Sequence, residues 1–255
     1  MYLFTLLLNV IWATHPSPNK GTTLTQKDKK MKLIKTDDMA RYKLNICVHG
    51  EAGTGKTRLA ATTGDIDKTL IVSAEGGLLS LRDAPATATE VKTREDISAV
   101  YRWLTESDEG KGMTWVCVDS LSEIAEIVLQ TELERNRDPR KAYGELGQVM
   151  TKMIRSFRDL DKHVYMSCKT ERLQSETGSL LWAPSMPGNK LGQSVPFFFD
   201  EIFCLRTVTG EDGSIVRFLQ TQPDGSFTAK DRSGALEFSE EPNLLNIKNK
   251  ILGDK

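Results

Sequence analysis

A chain of 255 residues with 39% hydrophobic and 27% charged side chains can bury a substantial core, and it suits one α/β domain or one domain with appendages. Its formal net charge of −1 excludes a broadly basic nucleic-acid binder of the histone kind, so any contact with DNA must come from local patches. Cys47, Cys117, Cys168 and Cys204 are widely spaced, form no C-x-x-C and each fall in a strand-like apolar run, which reads as buried small hydrophobes in a reducing cytosol.

The first thirteen residues, Met1 to Ala13, are apolar but too short to span a bilayer, and they lack the basic start of a secretory signal. Polar, Pro-containing sequence follows through Lys30. Residues 1–30 are therefore expected to be an over-extended start, with Met31 the true first residue, or a disordered tail, and 31–255 to be the folded domain. The expected location is the cytoplasm, with no membrane partner.

Leu44 to His49 is a β-rich run and Arg58 to Ala61 favours helix. Between them, Gly50-Glu51-Ala52-Gly53-Thr54-Gly55-Lys56-Thr57 matches G-x-x-x-x-G-K-[ST] at every fixed position. Glycines without Cβ let backbone N–H groups curl around a polyphosphate, and a helix N-terminus adds unpaired donors and a positive dipole end. Lys56 is placed to reach the β/γ-phosphates of ATP and the Thr57 hydroxyl to ligate Mg²⁺.

Thr69 to Ala74 reads as a fully buried strand ending at Glu75-Gly76-Gly77. Ile97, Val100, Tyr101 and Leu104 recur at helical spacing, and Met113 to Val118 is a third buried strand ending at Asp119-Ser120. Helices are expected from about Leu121 to Leu133 and, past a Pro-containing break at Asn136 to Lys141, around Val149 to Leu160. His163 to Cys168 is the fourth strand. The alternation predicts right-handed crossovers and a parallel sheet. Phe198 to Thr209 and Ser214 to Thr221 form a hairpin through Gly210 to Gly213, Phe227 to Lys230 adds a short strand, and a helix closes the chain from about Asn243 to Ile251. The fold class expected is thus α/β, with a mainly parallel central sheet extended by antiparallel C-terminal strands.

Two carboxylates stand where such a sheet binds ligands, at the carboxyl ends of its strands. Asp119 can set a negative charge near the Mg²⁺ held by Thr57, or it can cap the following helix, a task Ser120 could equally perform. Glu75 can orient and deprotonate an attacking water, or it is a turn carboxylate beside two glycines.

Ser73-Ala74-Glu75, Val116-Cys117-Val118-Asp119-Ser120 and the β-rich end resemble the RecA-like recombinase core. The layout over about residues 42–252, with Phe218-Leu219-Gln220-Thr221-Gln222-Pro223 and Ala229-Lys230-Asp231-Arg232-Ser233-Gly234 near its end, is similar to the short phage ATP-binding proteins of the Sak-type single-strand-annealing group. That resemblance implies a RecA-like ATPase with Glu75 as catalytic base and Asp119 as the Mg²⁺-associated acid. It implies Lys230 and Arg232 as an element touching a neighbouring subunit's nucleotide, unless both are solvated charges on an edge strand. It further implies a homo-oligomer that binds single-stranded DNA and assists recombination or annealing, with a single-strand-binding protein among its partners.

Two segments could hold DNA. Arg135, Arg137, Arg140 and Lys141 cluster in the expected break between helices, where flexible cations neutralise phosphates, though acids nearby leave a solvated helix end as the alternative. Glu171 to Val195 is long and carries Lys190 and Trp182, which could stack a base or pack inward from a hairpin around Thr177-Gly178. One departure stands out: RecA-like cores often end the fourth strand with an amide that senses the γ-phosphate, and here the residues are Ser167-Cys168-Lys169-Thr170. Rival readings are a P-loop NTPase or phosphotransferase unrelated to DNA, and a non-hydrolysing ATP-dependent assembly switch.

Overall fold

A computed structural model describes residues 35, 42–174, 178 and 180–253, and the expectation for residues 1–30 lies outside them. The chain divides into Met1–Asp37 and Asp38–Lys255, and the sheet with its helices belongs to the second unit. The strands are β1 (Asn45–Gly50), β2 (Thr69–Ser73), β3 (Thr87–Glu90), β4 (Trp115–Asp119), β5 (His163–Gln174), β6 (Leu180–Pro184), β7 (Glu201–Thr209), β8 (Ile215–Gln220), β9 (Lys230–Asp231) and β10 (Ser239–Glu240). They form one sheet in the order β10-β8-β7-β1-β5-β4-β2-β3, with β6 on β5 and β9 on β7. From β7 through β3 neighbours run parallel, whereas β8, β9, β10 and β6 join antiparallel. This is the expected α/β class.

Every residue of β1, β2 and β4 is buried, because helices cover both faces of the sheet. On one face Cys47, Val72, Val116 and Met166 pack with Leu104 of α2 (Arg94–Glu106), Ile124 of α4 (Leu121–Arg135) and Leu146 and Ile154 of α5 (Pro139–Arg158). On the other, Ile46, Val48, Cys117, Tyr165 and Phe203 pack with Leu59 of α1 (Lys56–Leu59) and with Leu244 and Ile247 of α7 (Leu244–Leu252). Adjacent residues of one strand thus serve opposite layers, as the two-residue period requires. A short α3 (Asp108–Gly112) and α6 (Asn189–Ser194) complete the set. No helix among the described residues is long and apolar enough to cross a membrane.

Three local expectations need correction. The connection between α4 and α5 spans only residues 136–138: Pro139 opens α5, where its missing N–H costs nothing, and the Asp138 side chain accepts from the Arg140 N–H. Arg140 and Lys141 therefore stand in a first helical turn rather than in a flexible break. The fourth strand, expected to end at Cys168, runs on to Gln174 and returns as β6, with Thr170 paired to Pro184 and Gln174 to Leu180, so of the two readings of Glu171 to Val195 the hairpin is the one that forms. Its turn lies partly outside the described residues. The third concerns β3, a parallel edge strand absent from the expectation, since Thr87 to Glu90 is largely exposed and offers no apolar run.

Candidate functional site

The loop after β1 is shaped by backbone that only glycine tolerates. A Cβ on Gly50 would sit 2.7 Å from the Leu205 carbonyl oxygen of the neighbouring β7. Gly55 has φ of 107°, in the left-handed region where side chains are strained. Thr54 is buried and donates to the Glu51 carbonyl at 2.9 Å, closing the loop on itself. From outside, Arg217 of β8 donates through Nε to the Thr54 carbonyl at 3.0 Å. From beneath, the buried Tyr165 hydroxyl donates to the Lys56 carbonyl at 2.8 Å.

Lys56 Nζ donates to the Gly50 and Glu51 carbonyls, each at 2.8 Å. Burial lowers its pKa, while Glu75 and Asp119 raise it, so the ammonium lies within the field of both carboxylates. The Thr57 hydroxyl donates to Asp119 Oδ2 at 2.6 Å, and Ser167 donates to Asp119 Oδ1. Next along the sheet edge, Ser120 donates to Glu75 Oε1 at 2.5 Å, and the Ala74 N–H bonds the Asp119 carbonyl at 2.7 Å. The Asp119–Ser120 peptide bond is cis. A Cβ on Gly77 would lie 3.5 Å from Thr57 Oγ1 and 4.0 Å from Asp119 Oδ2, inside the space these donors face.

Lys56, Thr57, Glu75 and Asp119 are thus brought to one end of the parallel sheet together with the loop from Gly50 to Gly55. The donor set suits a hard divalent cation such as Mg²⁺: a hydroxyl and a carboxylate oxygen beside a glycine-rich loop of the kind whose backbone N–H groups meet phosphate oxygens. Thr57 and Asp119 are the residues that would hold it, and its charge would offset that of the phosphate oxygens.

Two residues of this neighbourhood escaped the sequence reading. His49, the last residue before Gly50, is fully buried; its Nε2 lies 2.7 Å from the Thr228 carbonyl and its Nδ1 3.0 Å from Thr170 Oγ1. A carbonyl only accepts, so Nε2 carries the proton and Nδ1 accepts from Thr170. Burial, assisted by the Lys56 charge, lowers its pKa to about 4, so the ring is neutral. A polar residue in a strand that is buried throughout, as Asn45 also is, was the available signal. Arg217 offers none, because its partner lies 163 residues away.

Lys230 and Arg232 sit elsewhere. In register Lys230 pairs with Ile202, which pairs with Cys47, whereas the Gly-rich loop leaves β1 at Gly50. Lys230 Nζ donates to the Pro196 and Phe199 carbonyls, and Arg232 forms an ion pair with Asp200 at 2.5 Å. Beside them, buried Glu201 accepts from the Arg232 and Ser233 N–H groups and faces Asp231. Burial and then the Asp231 charge raise its pKa from its ordinary 4.5 to about 7. Between those values the folded state holds a proton that the unfolded state has lost, so stability falls as pH rises. The expected melting temperature therefore declines from pH 5 to 7.5, by about 2–4 °C per kcal/mol lost, and Glu201→Gln flattens that decline. An identical slope in wild type and variant by differential scanning calorimetry would contradict the assignment.

The cations expected to face DNA divide. Arg135 is engaged by Glu132 at 3.5 Å and Glu95 at 3.9 Å. Arg137, Arg140 and Lys141 are exposed and form no ion pair among the described residues. Lys190, on α6, is exposed close to α5, since Gly188 approaches the Tyr143 ring to 3.1 Å, measured from the Cβ it lacks. The Trp182 ring stacks on Phe227 with centroids 6.2 Å apart, and the Arg172 guanidinium lies 5.5 Å from it. Lys169 and Thr170, at the end expected to sense the γ-phosphate, are held by Glu123 at 2.6 Å and by His49.

A glycine-shaped loop from a buried parallel strand into a helix, with lysine, threonine and two carboxylates converging on it, defines a P-loop nucleotide-binding α/β protein. The chain belongs to the AAA-domain family, which it matches over residues 42–233, and the site is that of an AAA-type P-loop ATPase domain. Among solved structures it is similar to the flagellar accessory protein FlaH from Methanocaldococcus jannaschii, with 11% identity over 71% of this chain and 80% of that one and a TM-score of 0.39. No curated protein matches it.

Proposed function

We propose that the protein is a Mg²⁺-dependent, RecA-like ATPase that binds single-stranded DNA and assists recombination or annealing in the manner of the phage Sak-type proteins it resembles. The observation that carries the ATPase reading is the convergence of Lys56, Thr57, Glu75 and Asp119 at one sheet end. Lys56 meets the β/γ-phosphates, Thr57 and Asp119 hold Mg²⁺, and Glu75, oriented by Ser120, takes the proton of the attacking water. Ser167 holds the second carboxylate oxygen of Asp119, leaving the first toward Thr57.

The DNA reading is supported by the resemblance and by exposed cations of α5 and α6 that form no ion pair among the described residues. Phosphate release from Mg-ATP, measured with and without an unlabelled oligothymidylate, tests it: DNA is expected to raise the rate severalfold. An unchanged rate, together with no binding of the oligonucleotide, would remove DNA from the function and leave the ATPase.

Lys230 and Arg232 act on a neighbour's ATP, a role supported by their position beside β7, level with Cys47 rather than with the P-loop. Hydrolysis then depends on assembly and so on protein concentration. Arg232→Ala and Lys56→Ala proteins, each nearly inactive, are expected to regain activity when mixed, because a mixed interface pairs an intact P-loop with an intact arginine. No complementation, with activity per subunit constant on dilution through dissociation, would leave both residues as local ion-pair partners.

A further inference from the structure

A groove of about 790 Å³ lies between α2, α5 and α6, away from the nucleotide site. Tyr101 of α2, Lys152 and Arg155 of α5 and Lys190 of α6 line it, as do Gly144 and Gly147 of α5. A Cβ on either glycine would meet no atom within 4 Å. Glycine weakens a helix interior relative to alanine, so packing gives no reason for two of them on an exposed face. The 3.6-residue period sets Arg140, Gly144, Gly147, Thr151 and Arg155 along one stripe of α5, about 22 Å long at 1.5 Å per residue.

Charge separates this groove from the rest of a chain that is nearly neutral. Lys152, Arg155 and Lys190 on its wall, and Arg140 one turn before Gly144 on the same stripe of α5, are all exposed, and none forms an ion pair among the described residues. Asp159, the acid on the groove wall, is already bound by Arg158 at 2.8 Å. The Arg155 guanidinium lies 5.5 Å from the Phe198 ring centroid, which restrains it without neutralising it. Directly after α6, Phe197 is 81% exposed.

We propose that this groove takes the phosphodiester backbone of a single nucleic-acid strand, with Arg140, Lys152, Arg155 and Lys190 meeting its phosphates and Phe197 offering a face for a base. The inference rests on the DNA reading above and gives it a location on the α5 face rather than in the connection before it. Unneutralised cations select a polyanion. A concave, glycine-lined channel with aromatic side chains near it selects a strand whose bases are free to stack.

Fluorescence anisotropy with a labelled oligothymidylate, at several salt concentrations and with Mg-ATP present, tests the groove. The double variant Lys152→Ala/Arg155→Ala is expected to bind tenfold or more weakly, with the slope of log K against log salt shallower by about 1.4, or 0.7 for each phosphate no longer neutralised. Gly147→Glu, which puts an anion into open space and replaces a poor helix former, is expected to weaken binding while melting temperature and ATP affinity hold. Wild type that binds DNA, with both variants indistinguishable from it in affinity and slope, would overturn the groove and leave DNA binding standing. Wild type without saturable binding would overturn both. Stronger competition by polyglutamate than by an oligonucleotide of equal charge would assign the groove to an acidic protein instead.

Discussion

Lys56→Ala is expected to lower ATP affinity about 10- to 150-fold and to abolish hydrolysis. The side chain reaches across the mouth of the loop to the Gly50 and Glu51 carbonyls and lies in the field of Glu75 and Asp119, so its ammonium stands where phosphate charge must be met. A hydrogen bond from a charged group is worth about 1.5–3 kcal/mol, and about 1.4 kcal/mol changes an affinity tenfold. The loop itself is held by Tyr165, Arg217 and Thr54, none of which depends on the Lys56 head group, so the variant is expected to fold. Isothermal titration with Mg-ATP checks it, and affinity within threefold of wild type would remove Lys56 from the phosphate site.

Glu75→Gln is expected to retain ATP binding and to lose hydrolysis. The amide keeps an oxygen that can accept from Ser120, so the local geometry survives, but it takes no proton from water. General-base catalysis contributes about 10²–10⁴-fold, which sets the expected fall in hydrolysis, while ATP affinity stays near wild type or tightens through loss of a negative charge beside the phosphates. Equal phosphate release by the two proteins would exclude Glu75 from proton transfer and leave it as a partner of Ser120.

How much of this was legible in the sequence follows from which forces leave local marks. Strands buried on both faces carry short, mostly apolar and β-branched runs, so Leu44 to His49, Thr69 to Ala74 and Met113 to Val118 stood out without any alignment. The loop glycines and the residues after them were legible because their backbone and chemistry are demanded together over eight positions. The start of α5 was missed because Gly144 and Gly147 interrupt the apolar spacing that Ala142, Leu146 and Met150 would otherwise announce. The outer half of β5 was missed because Lys169 to Gln174 are polar except for Leu173 and are kept in strand by backbone pairing with β6 rather than by a buried face. His49 joins β1 to Thr170 and Thr228, and Arg217 joins β8 to Thr54; contacts between residues more than a hundred positions apart leave no periodicity to read. Asp119 and Glu75 were legible as candidates because each stands at the carboxyl end of a buried strand, and open parallel sheets bind ligands at that edge.

The most direct test is single-turnover hydrolysis, with wild-type protein in excess over γ-labelled ATP and Mg²⁺ either present or removed by chelation. The arrangement of Lys56, Thr57, Glu75 and Asp119 predicts complete phosphate release with Mg²⁺ and none without it, and none by Lys56→Ala under either condition. Phosphate release no faster than in buffer with Mg²⁺ and DNA both supplied, or release that survives chelation, would contradict it.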